Sequence, residues 1–194
     1  MISSEIIKQL REETGAAVLN CKKALEQTKG DVNKAIEILR KEGQKIVDKK
    51  SSRATREGLI GSYVHGNGKT AALVEVNCET DFVARNEEFK NLVHNLAMQI
   101  VAANPKYLNP EEIPAEVLEK EKEIYREQLL KEGKPEKMLD KIMEGKLQKY
   151  YQETCLMKQL FIKDDKLTIE NLVKQAITKL GENIQVKKFV RFSL

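Results

Sequence analysis

Gly66-Asn67-Gly68-Lys69-Thr70 closes with Gly-Lys-Thr, as a phosphate-binding loop does, so nucleotide binding is the first chemistry to weigh. The spacing excludes it. Such a loop needs a glycine five positions before Gly68, where this chain has Tyr63, and its lysine must open a helix, whereas a strand-like run follows Thr70. Nucleophilic cysteine chemistry also lacks partners. Cys21, Cys78 and Cys155 are far apart, with no Cys-x-x-Cys pair for a zinc knuckle and an odd count that argues against a disulfide framework. Only His65 and His94 offer an imidazole base. Cys78 falls on the apolar face of a strand and Cys21 on a short helix, so both read as small core residues. Carboxylates are plentiful, yet none forms an isolated pair in an apolar setting, the arrangement that raises a carboxyl pKa for acid-base work. No enzyme active site, resident metal or cofactor is expected.

The segment Cys78-Glu79-Thr80-Asp81-Phe82-Val83-Ala84 carries a different kind of chemistry. It joins the end of a buried strand to a long helix, so its side chains project from a rigid edge, with an acid and an aromatic adjacent. From composition alone, Thr80 or Asp81 reads as a helix cap and Phe82 as a hydrophobic staple turned into the core. The competing reading makes Phe82 an exposed wedge and Asp81 a charge aimed at a partner, the profile of an interface anchor.

The elements that must position this segment are legible from periodicity. Three short helices fill the first 48 residues: Ser3 or Ser4 caps the first, the second runs from about Val18 to Lys29-Gly30, and Asp31 caps a third. The third has Val32, Ala35, Ile36 and Leu39 on one stripe and Gly43 placed to end it. Leu59–His65 and Thr70–Cys78 are strand-like runs around a short glycine-containing turn, the pattern of a hairpin. Asn86 then caps a long helix with Phe89, Leu92, Val93, Leu96, Ala97, Ile100 and Val101 on one stripe. Two charged helices are expected over about 115–131 and 136–151, split by Glu132-Gly133-Lys134-Pro135. After a less regular stretch from Leu156 to Asp165, a helix runs from Thr168 to Leu180 and stops at Gly181. The chain closes on a strand alternating Ile184, Val186, Val190 and Phe192, which must return to the hairpin to be stable. The expected fold is α+β: a three-helix domain over 1–48, a basic linker over 49–57, and a core over 58–194 with a small three-stranded antiparallel sheet and helices packed on it.

With 194 residues, 41% of them hydrophobic and 33% charged, the chain is expected to fold as one or two compact units. No window is apolar enough for a membrane span, and Met-Ile-Ser-Ser-Glu lacks a basic flank followed by an apolar run, so a soluble, cytoplasmic protein is expected. Residues 44–56 hold five basic residues against one acid and so account for the whole net charge of +4. A nucleic-acid face normally spreads over a folded surface beside aromatics or helix ends, so the stretch reads first as a solvated connector. A ribosome- or RNA-associated protein using this linker with Lys187, Lys188 and Arg191 is the alternative, and an adaptor using only residues 1–48 is another.

Thr14-Gly15-Ala16 with Cys21-Lys22-Lys23-Ala24-Leu25, then Gly30-Asp31, the string from Glu75 through Asn77-Cys78-Glu79-Thr80-Asp81-Phe82-Val83-Ala84, and Phe189-Val190-Arg191-Phe192 together resemble bacterial elongation factor Ts in its short form. The resemblance spans nearly the full length and implies a nucleotide exchange factor for elongation factor Tu. It also implies that the three helices form a ubiquitin-associated-like domain. By the same resemblance Thr80, Asp81, Phe82 and Val83 would intrude beside the GTPase's Mg²⁺ site, while Arg11, Val18, Leu19, Lys22 and the linker's Lys50 would dock the GTPase. Val18-Leu19-Asn20 stands where many relatives have Met-Met-Asp, so the apolar pair survives in kind and the acid does not. Longer relatives carry the sheet-and-helix unit twice, and the single copy here implies a homodimer contacting two GTPases, with no nucleic acid required.

Overall fold

A computed structural model of the chain describes residues 2–132 and 135–194. Helix α1 (Ser4–Thr14) begins where the Ser3 hydroxyl accepts from the Ile6 N–H at 3.3 Å and ends at Gly15. Helix α2 covers Val18–Gln27, and α3 covers Val32–Lys50 with the Asp31 carboxylate accepting from the Lys34 N–H at 3.1 Å. Leu10, Cys21, Ala24, Leu25, Ala35 and Leu39 form their shared core, in which the small residues let the helix backbones approach closely.

Gly43 does not end α3, as the sequence suggested; the helix runs on to Lys50, seven residues into the basic stretch. A helix-interior glycine costs about 1 kcal/mol relative to alanine, and local features compensate. The Gln44 side chain donates to Asp48 at 2.7 Å one turn on, and Lys49 and Lys50 sit in the last turn, where the helix dipole favours cations. A Cβ at position 43 would lie 3.4 Å from Thr178 Oγ1, an ordinary van der Waals contact, so the packing there does not itself demand glycine.

Strands β1 (Glu57–Val64) and β2 (Thr70–Cys78) form the expected hairpin, closed where the His65 N–H donates to Thr70 O at 2.8 Å. Ala72, Val74, Val76 and Cys78 are buried on one face of β2 while Leu73 is exposed on the other. A short helix α4 (Asp81–Arg85) leads into α5 (Glu87–Ala103), whose expected stripe from Phe89 to Val101 is buried. A Cβ on Gly61 would come within 2.3 Å of Val93 Cγ1, so only glycine allows β1 this near α5.

Helices α6 (Ala115–Lys131) and α7 (Glu136–Thr154) match the two charged helices; Gly133 and Lys134, part of the break expected between them, lie outside the described residues. The stretch read as irregular around Leu156–Asp165 instead holds β3 (Leu160–Phe161), paired antiparallel with β4 (Asp164–Thr168). A two-residue strand leaves no periodic signal. The buried Gln99 amide shapes this turn by donating to Leu160 O at 3.1 Å and accepting from the Ile162 N–H at 2.9 Å. Helix α8 (Ile169–Leu180) ends at Gly181, and β5 (Gln185–Ser193) completes the three-stranded sheet in the order β1-β2-β5. The α+β class, with three N-terminal helices and a small antiparallel sheet, is the one expected; the β3-β4 pair is an addition.

The single alternating face expected for the last strand is not present. Ile184 and Val186 are buried, but Lys187 and Lys188 are both exposed and Val190 and Phe192 fall on the solvent side. One residue of slip moves every later side chain to the other face.

The chain resolves into two compact units. One is built from Met1–Gly61, Val74–Asn95 and Asn171–Lys187, and the other from Ser62–Leu73, Leu96–Glu170 and Lys188–Leu194. The second unit has its own apolar cluster of Ile113, Tyr150 and Cys155, flanked by Tyr107, Val117, Leu118 and Tyr151.

Candidate partner-binding site

The segment from Cys78 to Arg85 turns sharply out of β2. Cys78 Sγ donates to Thr80 O at 3.1 Å, and Thr80, in extended conformation, caps α4 with its hydroxyl accepting from the Val83 N–H at 3.5 Å. Ala84 is buried and Val83 half-buried, so one side of α4 faces inward. Phe82 faces the other way and is 81% exposed. The ring is therefore not the core staple that composition favours; α4 lasts only five residues, and the side holding Ala84 inward turns Phe82 to solvent. Asp81, in the first turn where the helix dipole favours an anion, pairs with Arg85 at 2.9 Å.

Three distant segments meet beneath this tip. The Glu182 carboxylate accepts from the Glu79 N–H at 3.1 Å, the Thr80 N–H at 3.0 Å and the Thr80 hydroxyl at 2.6 Å. The Glu79 carboxylate accepts from the Asn183 N–H at 2.7 Å and pairs with Arg53 at 3.3 Å. The Asn183 amide, almost fully buried, donates to Arg53 O at 2.8 Å and Ser51 O at 3.3 Å. The Asn183 N–H first, then Arg53, hold the Glu79 carboxyl below its ordinary range. Burial, followed by the Glu182 charge, pushes the Cys78 thiol up to about 11, which suits a structural rather than a nucleophilic cysteine. Cys21 and Cys155 are buried too, as their residue types suggested for Cys21 and Cys78.

The other candidate residues belong to α1, α2 and the end of α3, in the same unit. Val18 and Leu19, at the start of α2, are 49% and 70% exposed, and Lys22 follows one turn later, paired with Glu26 at 3.9 Å. Arg11 lines a groove of about 510 Å³ with Lys8, Glu12, Gly15, Ala16, Ala17, Thr178 and Lys179. Lys50 is occupied within the chain, its ammonium donating to Gly181 O at the end of α8. Sequence reasoning assigned no role to Arg53, Glu79, Glu182 or Asn183. Residues about a hundred positions apart give no spacing signal. Among the described residues no cluster of His, Cys, Asp and Glu could hold a metal, and no helix is long and apolar enough to cross a membrane.

A family model described as Elongation factor TS matches residues 2–194. The chain belongs to the elongation factor Ts family. It is 54% identical to Elongation factor Ts of Thermosipho melanesiensis over 194 residues, covering 100% of this chain and 99% of that protein. Elongation factor Ts of Caldanaerobacter subterraneus subsp. tengcongensis is 53% identical over 192 residues, covering 99% of this chain and 96% of the relative. That of Fervidobacterium nodosum is 54% identical over 193 residues, with 100% and 98% covered. Membership of the elongation factor Ts family assigns the chain to protein biosynthesis at the elongation step.

Proposed function

We propose that the chain is a guanine nucleotide exchange factor that binds elongation factor Tu in its GDP form, displaces Mg²⁺ from the GTPase and promotes GDP release so that GTP rebinds. The observation that carries this reading is Phe82: an aromatic ring 81% exposed on a short helix that is itself anchored by hydrogen bonds. A large apolar group kept in water on a stiff support is an interface anchor. Thr80, Asp81, Phe82 and Val83 form the intruding tip, with Asp81 disturbing the network that holds the metal. Arg11, Val18, Leu19 and Lys22 dock the GTPase through residues 1–48, with Lys50 contributing at the end of α3; 49–57 is the connector and 58–194 the core.

No bond is made or broken in such a reaction, and the factor needs no cofactor of its own. Mg²⁺ and the phosphates hold GDP in the GTPase, so a protein that prefers the nucleotide-free form weakens nucleotide binding by the same coupling free energy with which nucleotide weakens its own. Incoming GTP therefore expels the factor, and nucleotide concentrations in the cytoplasm set the direction of the cycle. A protein that bound every state equally would accelerate nothing.

The exposed apolar side chains of the sheet support a homodimer. Val64, Leu73, Val190 and Phe192 are 62%, 43%, 41% and 62% exposed, and the slip in β5 is what brings the last two to the solvent side. A self-complementary apolar sheet face suits a two-fold pairing that presents two tips to two GTPases.

Release of fluorescent GDP from purified elongation factor Tu, with and without the chain, tests the proposal. Acceleration by substoichiometric chain is the expected result. Tight binding with unchanged release would reduce the chain to an adaptor.

A further inference from the structure

We propose that Glu182 is a positioning residue for nucleotide exchange, fixing the direction of the Phe82 ring through Thr80. The inference rests on the reading of the Thr80–Val83 tip as the exchange element. Helix α4 is only five residues long, and a single turn does not hold itself in water. Its orientation must come from its base. Glu182 alone takes three donors from two adjacent residues at that base: the Glu79 N–H, the Thr80 N–H and the Thr80 hydroxyl.

The hydroxyl contact has a directional consequence. Thr80 Oγ1 has one proton, and giving it to Glu182 Oε1 at 2.6 Å leaves its lone pairs free to accept from the Val83 N–H, which is the cap of α4. Without the carboxylate the hydroxyl rotates freely between acceptors, the two strand-end N–H groups lose their partner, and the tip has several orientations. The three hydrogen bonds of Glu182 all go to Glu79 and Thr80 at the base of the tip, so its action on the partner runs through the tip. Its own position is set on both sides. Gly181 O accepts from Lys50, and Asn183 is held by Glu79, Arg53 and Ser51.

A wedge works when pushing it into a partner costs the partner more than it costs the wedge. Loss of the brace therefore lowers the maximal rate of release while leaving the docking residues Arg11, Val18, Leu19 and Lys22 of α1 and α2 in place. Binding and exchange separate.

The test compares Glu182→Ala, Glu182→Gln, Phe82→Ala and the double variant Glu182→Ala/Phe82→Ala in the full chain, with release of fluorescent GDP from elongation factor Tu followed over a range of factor concentration. Glu182→Ala is expected to lower the maximal rate by about ten-fold or more, with the half-saturating concentration moved by less than about three-fold. Glu182→Gln is expected to restore most of the rate, because the carboxamide oxygen still accepts from both N–H groups while its NH₂ donates to Thr80 Oγ1. The double variant is expected to be no slower than Phe82→Ala alone, within about two-fold, since a brace has nothing to aim once the ring is gone. Amide exchange at Glu79 and Thr80 in the free chain is expected to speed up in Glu182→Ala, which gives a reading if that variant melts early. A Glu182→Ala rate equal to the parent's, or losses that multiply in the double variant, overturns the inference. An unimpaired Phe82→Ala sinks the tip reading itself and is recognised separately, because it needs no change at Glu182.

Discussion

Glu79 and Glu182 exchange backbone partners: Glu182 accepts the N–H of Glu79 at 3.1 Å, while Glu79 accepts the N–H of Asn183, the residue after Glu182, at 2.7 Å. Each acid caps the other's strand end. The arrangement ties the turn after β2 to the turn before β5 with ionised acceptors, which form the stronger class of hydrogen bond.

Acid should loosen this tie before it unfolds the core. The Asn183 N–H and Arg53 hold the Glu79 carboxyl below its ordinary value of 4.5, so the folded state favours the ionised form. A depressed folded pKa gives stability that is fully present above 4.5 and is lost as pH falls through the folded value. Thermal melting between pH 7 and pH 3 should show a decline below 4.5 that is shallower in Glu79→Gln, which starts lower at pH 7. Parallel curves for the two proteins would show that Glu79 is not the group responsible.

Phe82→Ala separates stability from function. A ring that is 81% exposed contributes little to folding, and its removal should change unfolding free energy by less than about 0.5 kcal/mol. Stimulated GDP release should nevertheless fall by about ten-fold or more, while capture of elongation factor Tu persists through residues 1–48. Urea melts and exchange rates measured on one preparation check both halves. A large stability loss would mean that the ring is packed rather than presented.

Cys78 should resist alkylation. Burial and then the Glu182 carboxylate push its thiol up to about 11 from an ordinary 9.0, and a rise of that size lowers the thiolate at pH 8 by about a hundred-fold before access is considered. Peptide mapping after iodoacetamide treatment should find Cys78 labelled only when the chain is denatured. Labelling of the native chain at the denatured rate would contradict both the burial and the raised pKa.

What the sequence revealed and what it hid follow from the range of the interactions. Ser3 and Asp31 as caps, the stripe from Phe89 to Val101 and the hairpin at Gly66–Lys69 depend on neighbours within a turn or a strand, so residue spacing was enough to place them. The direction of Phe82 depends on α4, whose five residues are too few to show a period. The continuation of α3 past Gly43 rests on the Gln44–Asp48 contact and the cations of the last turn, which the stop signal of a glycine at 43 overrides in a reading of the sequence. The brace of Glu79, Glu182, Asn183 and Arg53 depends on three segments that only the fold brings together.

Gly61 tests how closely the sheet sits on α5. An added Cβ would meet Val93 Cγ1 at 2.3 Å and Val93 O at 3.2 Å, and the valine is β-branched with little rotamer freedom to yield. Gly61→Ala should destabilise the chain by about 1–3 kcal/mol, the usual cost of overpacking. Urea unfolding measures it, and Val93→Ala in the same chain should recover part of the loss. No recovery would place the strain elsewhere.

The sheet surface gives the most direct test of self-association. Val64, Leu73, Val190 and Phe192 form an exposed apolar set, and Phe192, at 62% exposure, offers the largest ring. In a two-fold dimer built on this face, each side chain near the axis meets its own copy or a close neighbour, so an introduced charge is desolvated twice and faces its like. In a monomer the same change at an exposed site alters stability by less than about 0.5 kcal/mol. Sedimentation at micromolar concentration should show the parent at twice the chain mass and Phe192→Asp at the chain mass, with thermal stability in the variant becoming independent of concentration. A parent that sediments at the chain mass rules out the dimer at that concentration, and a Phe192→Asp chain that still pairs moves the interface to another face. Because the substitution leaves Thr80–Val83 untouched, the exchange rate per chain in the monomeric variant then shows whether one tip acts alone or needs its partner.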